Sequence, residues 1–215
     1  MNGTGPRLTL SAASTAVLLA SLMLAACGSS SNDQSTGTAN GTDRAFASEM
    51  IDHHEMAISM AKVAQDQATK PQIQQLADAI IAAQQKEIDQ MNEVDEKLAD
   101  KQIEPTGLGL SDSMMGMEMN DSQLMHSKPF DRIFIDMMIP HHQGAIRMAR
   151  VELAKGRDPQ LRELARAIIT AQSEEIRAMN QWRTDWYGAA SPSGGIPEMD
   201  DQMDHDDGMG HDSMG

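Results

Sequence analysis

FIDMMIPHHQGAIRMA, Phe134–Ala149, has a counterpart 88 positions earlier in FASEMIDHHEMAISMA, Phe46–Ala61. Phe46, Met50, Ile51, His53, His54, Ala57, Ile58, Met60 and Ala61 recur as Phe134, Met138, Ile139, His141, His142, Ala145, Ile146, Met148 and Ala149. The offset persists downstream, in Pro71/Pro159, Leu76/Leu164, Ile80/Ile168, Gln84/Gln172, Glu87/Glu175 and Met91/Met179. A repeat of this length is one supersecondary unit used twice.

Each copy reads as a helical hairpin. Phe46, Met50, His53, Ala57, Met60 and Ala64 follow the i, i+4, i+7, i+11 spacing of a buried stripe, which predicts a helix from Asp43 to Gln67. Pro71 suits the first turn of a second helix, and Ile73, Leu76, Ile80, Glu87, Met91 and Val94 carry its inner face to near Asp100. In the second copy a helix is expected from Phe130 to Lys155, with Gly156 as its stop. Asp158-Pro159 supplies an N-cap and first turn for the last helix, which should end near Tyr187. One hairpin cannot bury its apolar face alone. Two stacked hairpins give an all-α, antiparallel four-helix bundle over residues 43–187, built from repeats 43–100 and 130–187 and joined by a Met-rich loop, 101–129.

Composition narrows the chemistry. Net charge is -15, a field that repels nucleic acid and gathers cations. Methionine (19) outnumbers leucine, and aromatic residues are only 3%. The single cysteine excludes an intramolecular disulfide and a thiolate cluster.

Residues 1–27 resemble a bacterial lipoprotein signal. Arg7 precedes an apolar run, Leu8 to Ala26, closing on the lipobox-like Leu24-Ala25-Ala26-Cys27. The resemblance implies cleavage before Cys27, lipidation of its sulfur and a place outside the cytoplasmic membrane, in the periplasm or at the cell surface. An ordinary signal peptide with a free cysteine, or an uncleaved membrane helix, are the alternatives. Residues 28–42 read as a flexible tether, and residues 188–215 as a disordered acidic tail carrying Met203, His205, Met209 and His211.

Neighbouring residues on a helix point about a hundred degrees apart, so a His-His pair cannot offer both rings in one direction. His53 and His141 lie on the methionine stripe, each with a methionine three residues before and seven after: Met50 and Met60, Met138 and Met148. Metal ligation and core packing are both open to these two. His54 and His142 lie on the isoleucine stripe and read as packing histidines. Glu87 and Glu175, the repeat-related carboxylates of the second and fourth helices, are candidate acceptors for histidines across the bundle, with no histidine singled out. Pro140 predicts a kink before His141, and Gly144, opposite Met56 in the repeat, predicts a close approach.

Methionine on a buried stripe is ordinary core filler. Met114, Met115, Met117 and Met119, followed by His126, stand where no core is expected. Thioether with imidazole is a soft donor set that suits Cu(I) or Ag(I), and histidine with carboxylate accepts Cu(II). A di-iron oxidase needs Glu-x-x-His on two helices, whereas Met50 and Met138 stand where those glutamates would be.

The two copies, Met-Ile-Pro-His-His-Gln-Gly-Ala above all, resemble the domain-of-unknown-function family 305 across Phe46–Trp182. The resemblance implies a ferritin-like four-helix bundle in an extracytoplasmic protein and, for some members, copper binding linked to resistance. On the motif it carries Met138, His141, His142 and Met148, with Met50, His53, His54 and Met60, as metal positions. Asp52 in place of the proline and Met56 in place of the glycine depart from it. The expected function is extracytoplasmic copper binding for buffering, resistance or delivery to a copper-accepting or copper-donating protein. A ferritin-like oxidase and a structural, partner-binding lipoprotein are the competitors.

Overall fold

The structure, a computed structural model, describes residues 38–118 and 121–198. Six helices follow in order: α1 (Gly41–Gln67), α2 (Pro71–Asp100), α3 (Asp112–Met115), α4 (Asp121–Met125), α5 (Phe130–Lys155) and α6 (Pro159–Tyr187). The four long ones form the expected bundle of two hairpins, α1–α2 and α5–α6, with no strand among the described residues.

The helix ends explain the boundaries. Asn40 accepts from the backbone N–H groups of Thr42 and Asp43, and Asp43 returns the bond to the Asn40 N–H. This capping box satisfies amides that a helix end leaves orphaned, so α1 starts two residues before the expected Asp43. Asp158 caps α6 through Gln160 and Leu161, with Pro159 at the first position, as the sequence predicts. Gly156 ends α5 at a negative φ. A side chain there would displace the Glu152 carboxyl, which packs over the glycine. Helix α5 continues through Pro140 without a break.

α1 and α5 run antiparallel at the centre. At one end Asn40 donates to the Lys155 carbonyl at 2.9 Å. At the other, Asp131 in the first turn of α5 accepts from the N–H groups of Thr69 and Lys70 and from the Thr69 hydroxyl. Asp43 does the same for the other hairpin, accepting from Arg157 N–H at 2.6 Å and Asp158 N–H at 2.7 Å. Asp43 and Asp131 are repeat equivalents, as are the amides they hold. Each repeat therefore ties the turn of its partner, which gives the bundle an approximate two-fold axis.

The core divides into two apolar clusters that this axis exchanges. One holds Met60, Ile80, Phe134, Met138, Ile176 and Met179, and the other Phe46, Met50, Ile88, Met91, Met148 and Ile168. Repeat equivalents fall in opposite clusters: Phe46 against Phe134, Met60 against Met148, Met91 against Met179. Between them, on all four helices, lies a layer of polar residues.

Three segments differ from their sequence reading. The connection over 101–129 is more than an open loop. It carries α3 and α4 and contributes the buried Leu108 and Leu124 to the two clusters. Residues 188–198 lie back on the bundle: Gln143 donates to the carbonyls of Ser193 and Gly195, Arg150 to those of Pro197 and Glu198, and Asn180 binds Ser191 and Gly194. Asn40, Gly41 and Thr42 belong to the start of α1 rather than to a tether. The signal with Cys27 and the tail residues Met203, His205, Met209 and His211 lie outside the described residues, as does Met119.

Candidate metal centre

The polar layer consists of His53 and His54 on α1, Gln84 and Glu87 on α2, His141 and His142 on α5, and Gln172 and Glu175 on α6. All four imidazoles are fully buried. They form a row across the bundle. Ring centroids are 6.3 Å apart from His54 to His53, 3.7 Å from His53 to His141, and 6.5 Å from His141 to His142. The two-fold axis passes between His53 and His141.

The row ends on carboxylates. His54 Nε2 is 2.7 Å from Glu87 Oε2, and His142 Nε2 is 2.6 Å from Glu175 Oε2. A carboxylate only accepts, so Nε2 carries the proton in both rings. His53 Nε2 donates to the Met115 backbone carbonyl at 2.9 Å. These partners leave Nδ1 of His53, His54 and His142 buried without a hydrogen-bond partner. In the neutral ring that atom carries the lone pair. For His141, neither Nδ1 nor Nε2 has a partner at normal geometry.

Buried polar atoms are seldom left unpaired, because the desolvation cost is of the order of 1–3 kcal/mol each. Four such rings in one layer call for a chemical cause. A ring whose other N–H is held by a carboxylate or a carbonyl is the usual state of a metal-ligating histidine. The electrostatics agree. Burial, with the like charge that His54 would add, holds His53 down at about 3 against an ordinary 6.5. Burial and then the neighbouring His53 hold His141 well below the imidazole range, with only a weak backbone contact from His53 among the opposing effects. Both are neutral at physiological pH and available as donors.

No three His, Cys, Asp or Glu side chains converge as a metal cluster among the described residues. Thioethers are the further soft donors near these rings. Met60 and Met138 line one side of the polar layer and Met50 and Met148 the other, all fully buried. Each face thus receives one methionine from each repeat, a pairing that spacing along a single helix does not show. The donor set fits a soft cation.

The connecting segment covers this centre. A side chain at Gly144 would overlap the Met115 carbonyl, and one at Gly116, whose φ is +70°, would overlap the Pro140 carbonyl. Gly144 thus admits the α3 turn rather than another helix, and Arg147 ties that turn through the Met114 carbonyl at 3.1 Å. Met115 contributes its backbone to His53 while its side chain packs on the second cluster. Met114 and Met117 are half-buried, and His126 is exposed on α4, bonded to the Ser122 carbonyl. The structure therefore brings the bundle histidines together and keeps His126 apart from them.

Sequence reasoning passed over three groups here. Gln84 and Gln172 are buried repeat equivalents, each with an amide oxygen lacking a partner, and their shared offset of 88 was the available signal. Glu152 is fully buried beside Asp43 and is pushed up to about 9 by burial first and that carboxylate second. Its repeat equivalent is Ala64, so periodicity carried no hint of it.

Comparison with known proteins follows the same lines. The family model described as "Domain of unknown function (DUF305)" matches residues 29–95, 43–183 and 131–214. CopM, solved in the Cu(I)-bound form, is 35% identical, with 68% of this chain and 98% of that one covered at a TM-score of 0.57. In the Cu(II)-bound form the values are 37%, 67%, 97% and 0.60. A DUF305 fragment from Deinococcus radiodurans is 28% identical, covering 69% of this chain and 99% of the fragment at a TM-score of 0.59. Uncharacterized protein L153 of Acanthamoeba polyphaga mimivirus is 43% identical over 50 residues, which span 23% of this chain and 33% of that protein. The chain belongs to the DUF305 family.

Proposed function

We propose that this protein binds copper, chiefly as Cu(I), as cargo to be buffered or passed on rather than as a catalytic cofactor. The observation that carries the reading is the set of buried, unpartnered Nδ1 atoms whose Nε2 partners are already in place. His53 offers Nδ1, and His141 offers a ring nitrogen beside it. Met50, Met60, Met138 and Met148 supply the thioethers. A soft donor set free of cysteine favours Cu(I) and Ag(I) and resists oxidative cross-linking. CopM, with bound Cu(I), Cu(II) and Ag forms, supports the same cargo.

The lipobox-like sequence ending in Cys27 supports a role outside the cytoplasmic membrane, with a lipid on Cys27 as the anchor. No described helix is long and apolar enough to cross a membrane. Met114, Met117 and Met119, with Met203, His205, Met209 and His211 of the tail, act as outer capture groups. Delivery to or from a copper-handling protein completes the role.

A Cu(I) competition titration against a chromophoric chelator tests this. The comparison is the full chain against a variant carrying His53→Ala, His141→Ala, Met50→Leu and Met138→Leu, with circular dichroism to verify folding. The folded variant should lose at least one equivalent. Equal uptake by both would remove the bundle site. Turnover of oxygen with Fe(II) or Cu(I) would replace a binder with an oxidase.

A further inference from the structure

Met56 is a half-buried methionine of α1 that packs against the first apolar cluster. Its repeat equivalent is Gly144, where the space of a side chain is filled by the Met115 carbonyl oxygen. That oxygen accepts from His53 Nε2 at 2.9 Å. The two-fold axis that carries 144 onto 56 also carries His53 onto His141. By that equivalence, the place that the Met115 carbonyl holds beside His53 Nε2 corresponds, on the other side of the pair, to that of the Met56 side chain near His141 Nε2. His141 Nε2 is fully buried and has no partner of its own at normal geometry.

We propose that the Met56 thioether and His141 Nε2 form a soft-cation site of their own, on the side of the histidine pair opposite the Met115 carbonyl. The two sides of the pair are thereby made unlike. A backbone acceptor closes His53 Nε2, whereas a sulfur, which can neither donate to nor strongly accept from an imidazole, stands by His141 Nε2. A thioether and an imidazole nitrogen are the donors that Cu(I) and Ag(I) prefer. Because Met56 is half-buried while His53, His141 and the four stripe methionines are fully buried, it also gives the cation its first step in from solvent. The proposal rests on the copper reading above.

Ag(I), soft and diamagnetic, is the probe. The full chain with 13C-methyl methionine is titrated with Ag(I), and the same titration is run on Met56→Leu, which keeps the volume and removes the sulfur. The Met56 methyl resonance should shift with Ag(I), and Met56→Leu should keep its helix content while losing one Ag(I) equivalent. If other Met methyl signals move while the Met56 methyl stays fixed, or if Met56→Leu binds as the parent does, this site is overturned and the bundle reading stands. If the parent takes up no Ag(I) or Cu(I), both are overturned.

Discussion

The rings of His53 and His141 face each other across the centre of the bundle, 3.7 Å between centroids and tilted by 38°. Two imidazoles this close and fully buried cannot both be charged, and each is held below the ordinary imidazole value chiefly by burial. The contact joins the two copies of the repeat at their symmetry axis. A chemically demanding pair of residues thus sits where an ordinary core would place leucines.

The carboxylates at the ends of the row should matter for metal without touching it. Glu87→Ala or Glu175→Ala removes the acceptor of His54 or His142 Nε2. Loss of an outer partner of this kind costs about 10–100-fold in metal affinity. The expected result is weaker Cu(I) binding in the competition titration at unchanged helix content.

Gly144→Ala should disrupt the cover rather than the bundle. The new methyl group meets the Met115 carbonyl, which must move away from His53. Overpacking of this sort costs about 1–3 kcal/mol. Urea unfolding should show that loss, and the His53 Nε2–H should exchange faster with solvent.

Asp43 and Asp131 tie each hairpin turn to the opposite repeat. Asp131→Ala leaves the Thr69 and Lys70 amides without their acceptor at the start of α2. Thr69 is exposed and Lys70 half-buried, so water replaces part of the lost acceptor and the net cost is about 0.5–1.5 kcal/mol per hydrogen bond. Chemical denaturation should show destabilisation in this range for Asp131→Ala, and a similar loss for Asp43→Ala.

Stability should fall as the solution becomes alkaline. Glu152 titrates at about 9 in the fold against an ordinary 4.5, so its proton favours the folded state. That contribution is complete below pH 4.5 and is lost as pH rises toward 9, with a slope of at most about 1.4 kcal/mol per pH unit. Glu152→Gln should flatten the decline, measured as urea midpoints across this range.

The four long helices were legible because periodicity, Pro71, Asp158-Pro159 and the internal repeat all speak to local structure. That Glu87 and Glu175 accept from histidines was legible from the repeat, but that the partners are His54 and His142, 33 residues before them, was not. The cover over the site was not. Met115 acts through its backbone carbonyl, which any residue has, so a methionine-rich run suggested thioether ligands and concealed the contact that holds His53. Gly144 suggested helix–helix approach, but a short turn from the connecting segment uses the space. The strap over 188–198 was hidden by its composition, because Gln143 and Arg150 hold it by backbone carbonyls rather than by apolar side chains.

The central claim is that His53 receives metal at Nδ1 because Met115 already occupies Nε2. The most direct measurement is a 15N histidine NMR titration of the full chain with Ag(I). The account predicts a large shift of His53 Nδ1 with Ag(I), with Nε2 keeping its proton. Stoichiometric Ag(I) uptake with every histidine nitrogen unmoved would contradict it, and would leave the buried rings as packing and the metal on methionines alone.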